Sequence, residues 1–552
     1  MNHQKYQKMY HPVPLEHREW PDHEITHAPI WCSVDLRDGN QALYSPMTME
    51  EKIEFFKFLV KLGFKEIEVG FPAASDTEFD FVRRLIDGDM IPDDVTIQVL
   101  TQAREHIIKR TVESLKGVKN AIIHLYNSTS TLQRQVVFRK SKEEIKQLAV
   151  DGAQLIVDLL DNGELDGNIR YEYSPESFTC TEMDYAAEIT NAVLEVLKPT
   201  PERKVIVNLP STIEVATANV YADQIEYMCK HLNNRENLII SVHAHNDRGT
   251  GVASSELALL AGADRVEGTL FGNGERTGNT DLITTALNLF CQGIDPCLNL
   301  ENIDEVIAVF EKFNRLPIHP RHPYAGEMAY VAFSGSHQDA IKKSMDVYEA
   351  GQKSSWANPY LTIDPTDLGR QYEPIQINSQ SGKGGLHYVM ENKYGYTMPK
   401  LMLAEFSKLV THLSEEKKTV LENSEIHKAF HDTYVNLDAP VKLQFYRSSV
   451  EDNVTVLSAT IEANGKVSTV EGRGNGPLDA LCNGIRDNLN KDFEIVSYTE
   501  HALELGSKSQ AVSYIAIRNG SETLYWGAGI DANINTSSIY ALISALNRFL
   551  TA

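Results

Sequence analysis

Two histidines, His243 and His245, stand one residue apart where an apolar run, LIISV (238–242), gives way to polar residues. On a strand such a pair projects to one side, and neutral imidazole is a common ligand for divalent cations. Oxygen donors come from two other segments: Asp35 and Asp38 in DLRDGN (35–40), and Asn279 at the end of the glycine loop GNGERTGN (272–279). Two imidazoles, a carboxylate and a carboxamide form a mixed nitrogen–oxygen set that suits magnesium, manganese or zinc. No thiolate belongs to it, which argues against a closed structural zinc. Open positions would remain for a substrate. Arg37 lies between the two aspartates and can pair with either, so one of them is expected to be structural.

Residues 30–291 supply elements able to gather these groups. A short apolar, β-branched run, a turn and an amphipathic stretch recur eight times, with strands expected at 30–36, 65–71, 95–100, 121–126, 169–174, 204–209, 238–243 and 264–270. Near-continuous apolar runs of this length suit parallel strands buried on both faces. The first helix is expected over 48–62, with Thr48 as N-cap, Glu51 completing a capping box, a buried face through Met49, Ile53, Phe56 and Val60, and Gly63 as terminator. Further helices are expected near 75–87, 103–115, 141–160, 181–197, 215–232, 250–261 and 280–291. Eight such units fit an α/β fold, the closed (β/α)8 TIM barrel. An open doubly wound sheet fits less well, because Asp-Gly-Asn-Gln and not Gly-x-Gly-x-x-Gly follows the first strand.

In a barrel of this kind the active site lies at the C-terminal ends of the strands, and strands 7, 8 and 1 are neighbours. The His pair, the glycine loop and the acidic pair would therefore meet. Other strand ends add His124 and Tyr126, Ser174 and Glu176, and Asn208, Pro210 and Thr212. The backbone of the glycine loop could also meet a phosphate. Ser381-Gly382-Lys383-Gly384 lacks the remaining residues of a P-loop, so nucleotide hydrolysis is not expected.

Three prolines, Pro317, Pro320 and Pro323, end the barrel region. Residues 326–430 read as mostly helical, with a loop-rich middle at 354–386. From about 435 a strand–turn–strand–helix module appears twice, with Asn464-Gly465 and Asn519-Gly520 at matching turns. The domains expected are an N-terminal extension (1–29), the barrel (30–315), a helical linker region (316–432) and a C-terminal α+β regulatory domain (433–552).

The chain has 76 acidic and 52 basic residues, a formal net charge of -24. That balance excludes a nucleic-acid surface or an anionic membrane as partner. Neither a secretory leader nor an apolar span of about 18 residues is visible. The six cysteines lack Cys-x-x-Cys spacing. Thiols in a reducing compartment are expected, and the cytoplasm is the expected location.

DLRDGNQ (35–41), FPAASDTEFDF (71–81), NLPSTIEV (208–215), HAHNDRGTGVA (243–253), LFGNGERTGN (270–279), FSGSHQDAI (333–341) and NSQSGKGG (378–385) resemble the 2-isopropylmalate synthase family in its long form, and GRGNGPLDA (472–480) extends the likeness. The resemblance implies that Asp38, His243, His245 and Asn279 hold a divalent metal, with magnesium favoured. It implies a condensation of acetyl-CoA with 3-methyl-2-oxobutanoate in leucine biosynthesis. Arg37 would stabilise the alkoxide, and Glu176 would be, or organise, the base. His337 and Tyr360 would join from a linker region that covers the active site of a homodimer. Leu100, His124, Tyr126, Ser174, Asn208, Pro210 and Thr212 would line the 2-oxo acid pocket. The C-terminal modules would bind leucine as feedback effector; Asp531 and Asn533 stand there where the family suggests smaller or neutral residues. Citramalate synthase, homocitrate synthase, a metal-dependent lyase and a catalytically silent amino-acid sensor are the alternatives.

Overall fold

The computed structural model describes residues 2–5, 7–353, 355–370, 383–417, 420–463, 465–489, 492–503 and 509–552. The Asn378–Gly382 part of the NSQSGKGG motif and Asn464 of the first turn lie outside them. Two compact units are present: residues 1–329 with 365–370, and residues 330–364 with 371–552.

The first unit is a closed barrel of eight parallel strands in sequential order: β1 (Ile30–Ser33), β2 (Glu66–Gly70), β3 (Thr96–Gln102), β4 (Asn120–Ser128), β5 (Asn168–Glu176), β6 (Val205–Ser211), β7 (Leu238–Ala244) and β8 (Arg265–Gly268). β8 pairs with β1 (Trp31 opposite Val266) and with β7 (Val242 opposite Val266), so the three strands bearing the donor motifs adjoin. The helices between them are α1 (Met49–Leu62), α2 (Asp76–Asp87), α3 (Glu105–Ser114), α4 (Lys142–Asp161), α5 (Met183–Leu197), α6 (Ala218–His231) and α7 (Gly251–Leu260). After β8 follow α8 (Leu282–Phe290) and α9 (Ile303–Asn314). The N-terminal extension docks on α6, where Arg18 forks onto Asp223 with two 2.8 Å bonds and the Trp20 indole donates to the same carboxylate.

α1 begins and ends as its sequence dictates. Thr48 and Glu51 form a reciprocal capping box, and Gly63 closes the helix with φ at 103°. Its buried face differs from the expected one. Lys52, Phe55, Phe56, Leu59 and Leu62 point inward, and Met49, Ile53 and Val60 flank them. The large rings at 55 and 56 outweigh the flanking aliphatics, each fully buried side chain contributing on the order of 2 kcal/mol. Lys52 is carried inward with them; it pairs with Glu78 and lies over the Phe81 ring.

The strands are not apolar on both faces. Ile67, Val69, Ile97, Val99, Val207 and Val242 are fully buried apolar positions. Between them alternate Glu66, Glu68, Gln98, Glu172, Ser241, Arg265 and Glu267, all buried, and these fill the barrel lumen. Arg265 is the hub. It donates to Glu66 (2.6 Å), Gln98 (2.7 Å) and Ser241 (2.8 Å), and it pairs with Glu267. A buried charge is tolerated only when it is paired and hydrogen-bonded in this way.

In the second unit, α10 (Gly335–Ala350) leads to α11 (Lys383–Tyr388), α12 (Lys400–Lys417) and α13 (Asn423–Tyr434). Two three-stranded antiparallel sheets follow: β9 (Val441–Glu451), β10 (Val454–Ala463) and β11 (Lys466–Gly474), then β12 (Glu494–Ala502), β13 (Ala511–Arg518) and β14 (Tyr525–Asp531). Each sheet is backed by one helix, α14 (Pro477–Leu489) or α15 (Ile534–Thr551). The repeat is thus strand–strand–strand–helix, one strand longer than the sequence pattern suggested. Paired glycines mark the equivalence. A Cβ on Gly472 or Gly474 would strike the backbone of α14, and one on Gly527 or Gly529 would strike α15. Each helix therefore lies closer to its sheet than side chains would permit. α12 and α13 share a core with β13 and β14 through Phe406, Phe430, Tyr434, Tyr514 and Trp526. Among the described residues no helix is long and apolar enough to cross a membrane.

Candidate metal centre and active site

After β1 the chain turns through a π-helical loop, Asp35–Gly39, in which the Val34 carbonyl accepts from the backbone N–H of Arg37, Asp38 and Gly39. This winding separates the two aspartates. Asp35 is fully buried beneath the loop, accepting from the Ser33 hydroxyl (2.8 Å) and the Leu270 N–H (3.1 Å). Burial raises its carboxyl to about 7 against those bonds. Asp35 is the structural aspartate, and Asp38 faces the cavity.

Asp38 Oδ2 lies 3.3 Å from Nε2 of His243 and 3.3 Å from Nε2 of His245. The other edge of each ring is fixed. His243 Nδ1 is 2.8 Å from Glu267, and His245 Nδ1 is 2.8 Å from the Thr212 carbonyl. With Nδ1 of each ring engaged by these acceptors, both Nε2 atoms are turned toward the Asp38 oxygen. Asn279 Oδ1 joins them 2.9 Å from His243 Nε2. It is aimed there because its Nδ2 donates to the Asn273 carbonyl (3.0 Å). Four potential ligand atoms turned toward one point could share a cation, which would take the place of a proton on His243, and outer partners of this type orient metal ligands generally. Ligand atoms of Asp38, His243 and His245 all lie within 4.8 Å of one another. The residues therefore fit a divalent ion.

The electrostatics match. Burial lowers the pKa of His243, but hydrogen bonds to Asp38 and Glu267 overcome this and raise it to about 10. The site is thus arranged to hold positive charge. Burial works against the Asp38 carboxylate, yet Arg37 and the two imidazoles hold its pKa well below the usual range. Arg37 bonds Asp38 Oδ1 at 2.6 Å and also pairs with Glu68, which fixes its guanidinium at the cavity floor.

The glycine loop presents Asn279 at the donor set. The N–H groups of Gly272, Asn273, Gly278 and Asn279 bond to carbonyls of the same turn, and the Asp281 side chain caps α8. Gly278 has φ at 98°, and a Cβ on Gly274 would collide with the Asn279 carboxamide. These glycines serve the placement of that side chain.

A cavity of about 440 Å3 opens above the donor set. It is lined by Arg37, Asp38, His243 and His245, by Leu100, His124 and Tyr126 from β3 and β4, and by Ser174, Glu176, Asn208, Pro210 and Thr212 from β5, β6 and the loop beyond. His124 bridges Glu68 (2.8 Å) and Ser174 (2.7 Å), and the Asn208 amide donates to Ser174 (3.0 Å). Glu176 accepts from Ser128, and Gln102 donates to the Tyr126 hydroxyl at 2.6 Å. His337 and Tyr360 belong to the second compact unit, where both side chains are exposed and their rings stack at 4.0 Å.

Sequence reasoning missed Gln41, Phe71, Glu275 and Arg276 in the cavity wall, together with the lumen carboxylates Glu68, Glu172 and Glu267. Phe71 directly follows a strand end and could have been found there. Burial raises the Glu172 carboxyl far above its ordinary range, with the Glu267 charge adding to the effect. Arg276 pairs with Asp247 (2.7 Å) and donates to the Thr212 carbonyl, bracing the end of the His-bearing motif.

Fold and donor set together define a barrel of the HMGL-like family with a candidate divalent-metal site, and residues 28–309 match that family. Residues 327–391 match the alpha-isopropylmalate synthase, post-catalytic domain-like family, and residues 420–550 match the LeuA allosteric (dimerisation) domain. The chain belongs to the 2-isopropylmalate synthase family. It is 53% identical to the 2-isopropylmalate synthase of Clostridium acetobutylicum over 99% of both chains. It is 53% identical to that of Helicobacter hepaticus over 100% of both. Against that of Rhodospirillum rubrum it is 50% identical over 98% of both.

Proposed function

We infer that the chain catalyses a divalent-metal-dependent Claisen-type condensation of acetyl-CoA with 3-methyl-2-oxobutanoate. Thioester hydrolysis then gives (2S)-2-isopropylmalate and CoA for leucine biosynthesis. The observation that carries this reading is the convergence of Asp38, His243, His245 and Asn279 on one point at the floor of the cavity.

Those four side chains would hold the ion. Magnesium is the physiological choice in this reading, with manganese or zinc as substitutes. When bound, the ion supplies Lewis-acid polarisation of the keto and carboxylate oxygens of the 2-oxo acid. The guanidinium of Arg37, fixed by Asp38 and Glu68, donates to the keto oxygen and stabilises the negative charge that develops there. Leu100, Phe71 and Pro210 give the cavity an apolar wall for the isopropyl group. His124, Tyr126, Ser174, Asn208 and Thr212 supply the polar wall around the carboxylate.

Glu176 lies in the same cavity, held by Ser128. It takes a proton from the acetyl methyl group. The resulting carbon nucleophile forms the new C–C bond to the keto carbon, and the keto oxygen becomes an alkoxide that is then protonated. Water cleaves the thioester and releases CoA. His337 and Tyr360 act in this reading as an acid–base pair contributed by the linker region of a second copy in a homodimer.

Leucine is the proposed effector, bound by the C-terminal modules. Asp531 and Asn533 stand at the start of α15. Asn533 caps α15 by accepting from Asn535 and Thr536 N–H groups, and Asp531 accepts from Asn533 N–H at 2.8 Å.

CoA release measured with 3-methyl-2-oxobutanoate, pyruvate and 2-oxoglutarate tests the reaction. Turnover should be greatest with the first and absent without acetyl-CoA. Greater turnover with pyruvate or 2-oxoglutarate would make the chain a citramalate or homocitrate synthase. Cleavage activity without acetyl-CoA would make it a lyase.

A further inference from the structure

We propose that His427, His431 and Tyr396 form a second metal site, separate from the barrel and selective for a transition-metal dication such as zinc, nickel or copper(II). His427 and His431 stand four residues apart on α13 and so share one face of the helix. Their rings lie 4.3 Å apart between centroids. Both Nε2 atoms turn toward a single atom, the Tyr396 hydroxyl oxygen, at 3.4 Å from His427 and 2.9 Å from His431. Two imidazole nitrogens and a phenolic oxygen thus converge within hydrogen-bonding reach.

The surroundings hold this geometry. Tyr394 stacks on His427 at 4.2 Å, and Tyr396 packs against Phe430 at 5.0 Å. Tyr396 is only 4% exposed and belongs to the core shared by α12, α13, β13 and β14. The histidines are half-buried, which leaves an entry path for an ion. α13 starts in a reciprocal capping box between Glu422 and Glu425, so the helix carrying both ligands has a fixed beginning.

The protonation states suit binding. Burial lowers the pKa of His427, and burial together with the charge of His427 lowers that of His431. Both rings are therefore neutral at pH 7, the form that ligates. Burial raises the Tyr396 hydroxyl to about 12, so Tyr396 is the weakest of the three donors and the imidazoles carry the affinity. The chain's net charge of -24 raises the local concentration of cations. Imidazole ligands suit zinc, copper and nickel, whereas magnesium takes oxygen ligands and keeps several waters. Magnesium would thus leave this site to the softer ions.

The test is calorimetric titration of zinc chloride into the chelator-treated full-length chain carrying His243→Ala, in excess magnesium. One zinc per chain is expected. Adding His431→Gln, which retains a hydrogen-bonding partner for Tyr396, should abolish that binding, and adding Tyr396→Phe should weaken it. Zinc should also raise the melting temperature of the His243→Ala chain and leave that of the His243→Ala/His431→Gln chain unchanged. A normal melting transition of the double variant without zinc separates lost binding from lost folding. The proposal is overturned if the His243→Ala chain binds no zinc, or if His431→Gln leaves both the stoichiometry and the zinc-induced stabilisation intact.

Discussion

Replacing Glu267 by glutamine removes one charge and no volume from a fully buried position. Glu267 accepts on both oxygens, from His243 Nδ1 at 2.8 Å and from Arg265. A carboxamide offers one acceptor and one donor. If its oxygen faces His243, its NH2 meets the guanidinium; if it is flipped, its NH2 meets the Nδ1 proton. Either way one donor–donor contact replaces a charge-assisted bond. Loss of an outer partner of a metal-bound histidine costs about 10- to 100-fold in metal affinity, or roughly 1.4–2.7 kcal/mol. The fold should lose less than the roughly 3–5 kcal/mol typical of a broken buried ion pair, because Arg265 keeps Glu66, Gln98 and Ser241. Free manganese quantified by electron paramagnetic resonance during a titration reads the affinity, and thermal melting reads the fold. A Glu267→Gln chain that melts normally and binds manganese within twofold of the parent would refute the idea that Glu267 sets the ligand orientation of His243.

Glu176→Gln should leave binding of 3-methyl-2-oxobutanoate intact and lower kcat by about 100-fold or more, as for loss of a proton-transfer group; near-parental kcat would remove Glu176 from acid–base work. Asp35 is raised to about 7 by burial, well above its unfolded value of about 3.9. Its contribution to stability is full below about pH 4 and is lost as pH rises through 7, since the folded chain keeps a proton that the unfolded chain has released. Asp35→Asn should flatten this part of the melting-temperature profile, and an unchanged slope would contradict the assignment. Ending the chain after Asp432 should abolish the leucine response and also lower the melting temperature, because β13 and β14 complete the core of α12 and α13. Inhibition by leucine that survives the cut would place the effector elsewhere.

Much of the barrel was legible because its outward-facing residues repeat a simple rhythm of apolar strand, turn and amphipathic helix. The donor set was legible too: His243 and His245 lie at the end of β7, and the Asn279 and Asp35–Asp38 motifs follow β8 and β1, the next two strands around the barrel. Which aspartate faces the cavity was not readable, because a π-helical turn and not strand alternation decides it. The polar lumen stayed hidden for a related reason. Glu-Ile-Glu at 66–68 and Arg-Val-Glu at 265–267 look like strands with one wet face, and only closure of the barrel brings Arg265 to the carboxylates that neutralise it. In the C-terminal modules, β9 and β12 precede the duplicated segments read in the sequence, and their side chains are mostly exposed. The return of residues 365–370 to the barrel unit rests on Arg370, which bonds Asp304 at 2.7 Å and the Ala325 carbonyl at 2.7 Å. No local pattern encodes such a long-range clamp.

The most direct measurement follows CoA release from acetyl-CoA and 3-methyl-2-oxobutanoate across a manganese titration, for the parent chain and for His243→Ala. Shared ligation by Asp38, His243, His245 and Asn279 predicts that the substitution weakens metal activation and turnover together. Parental turnover and an unshifted manganese dependence in the His243→Ala chain would contradict it.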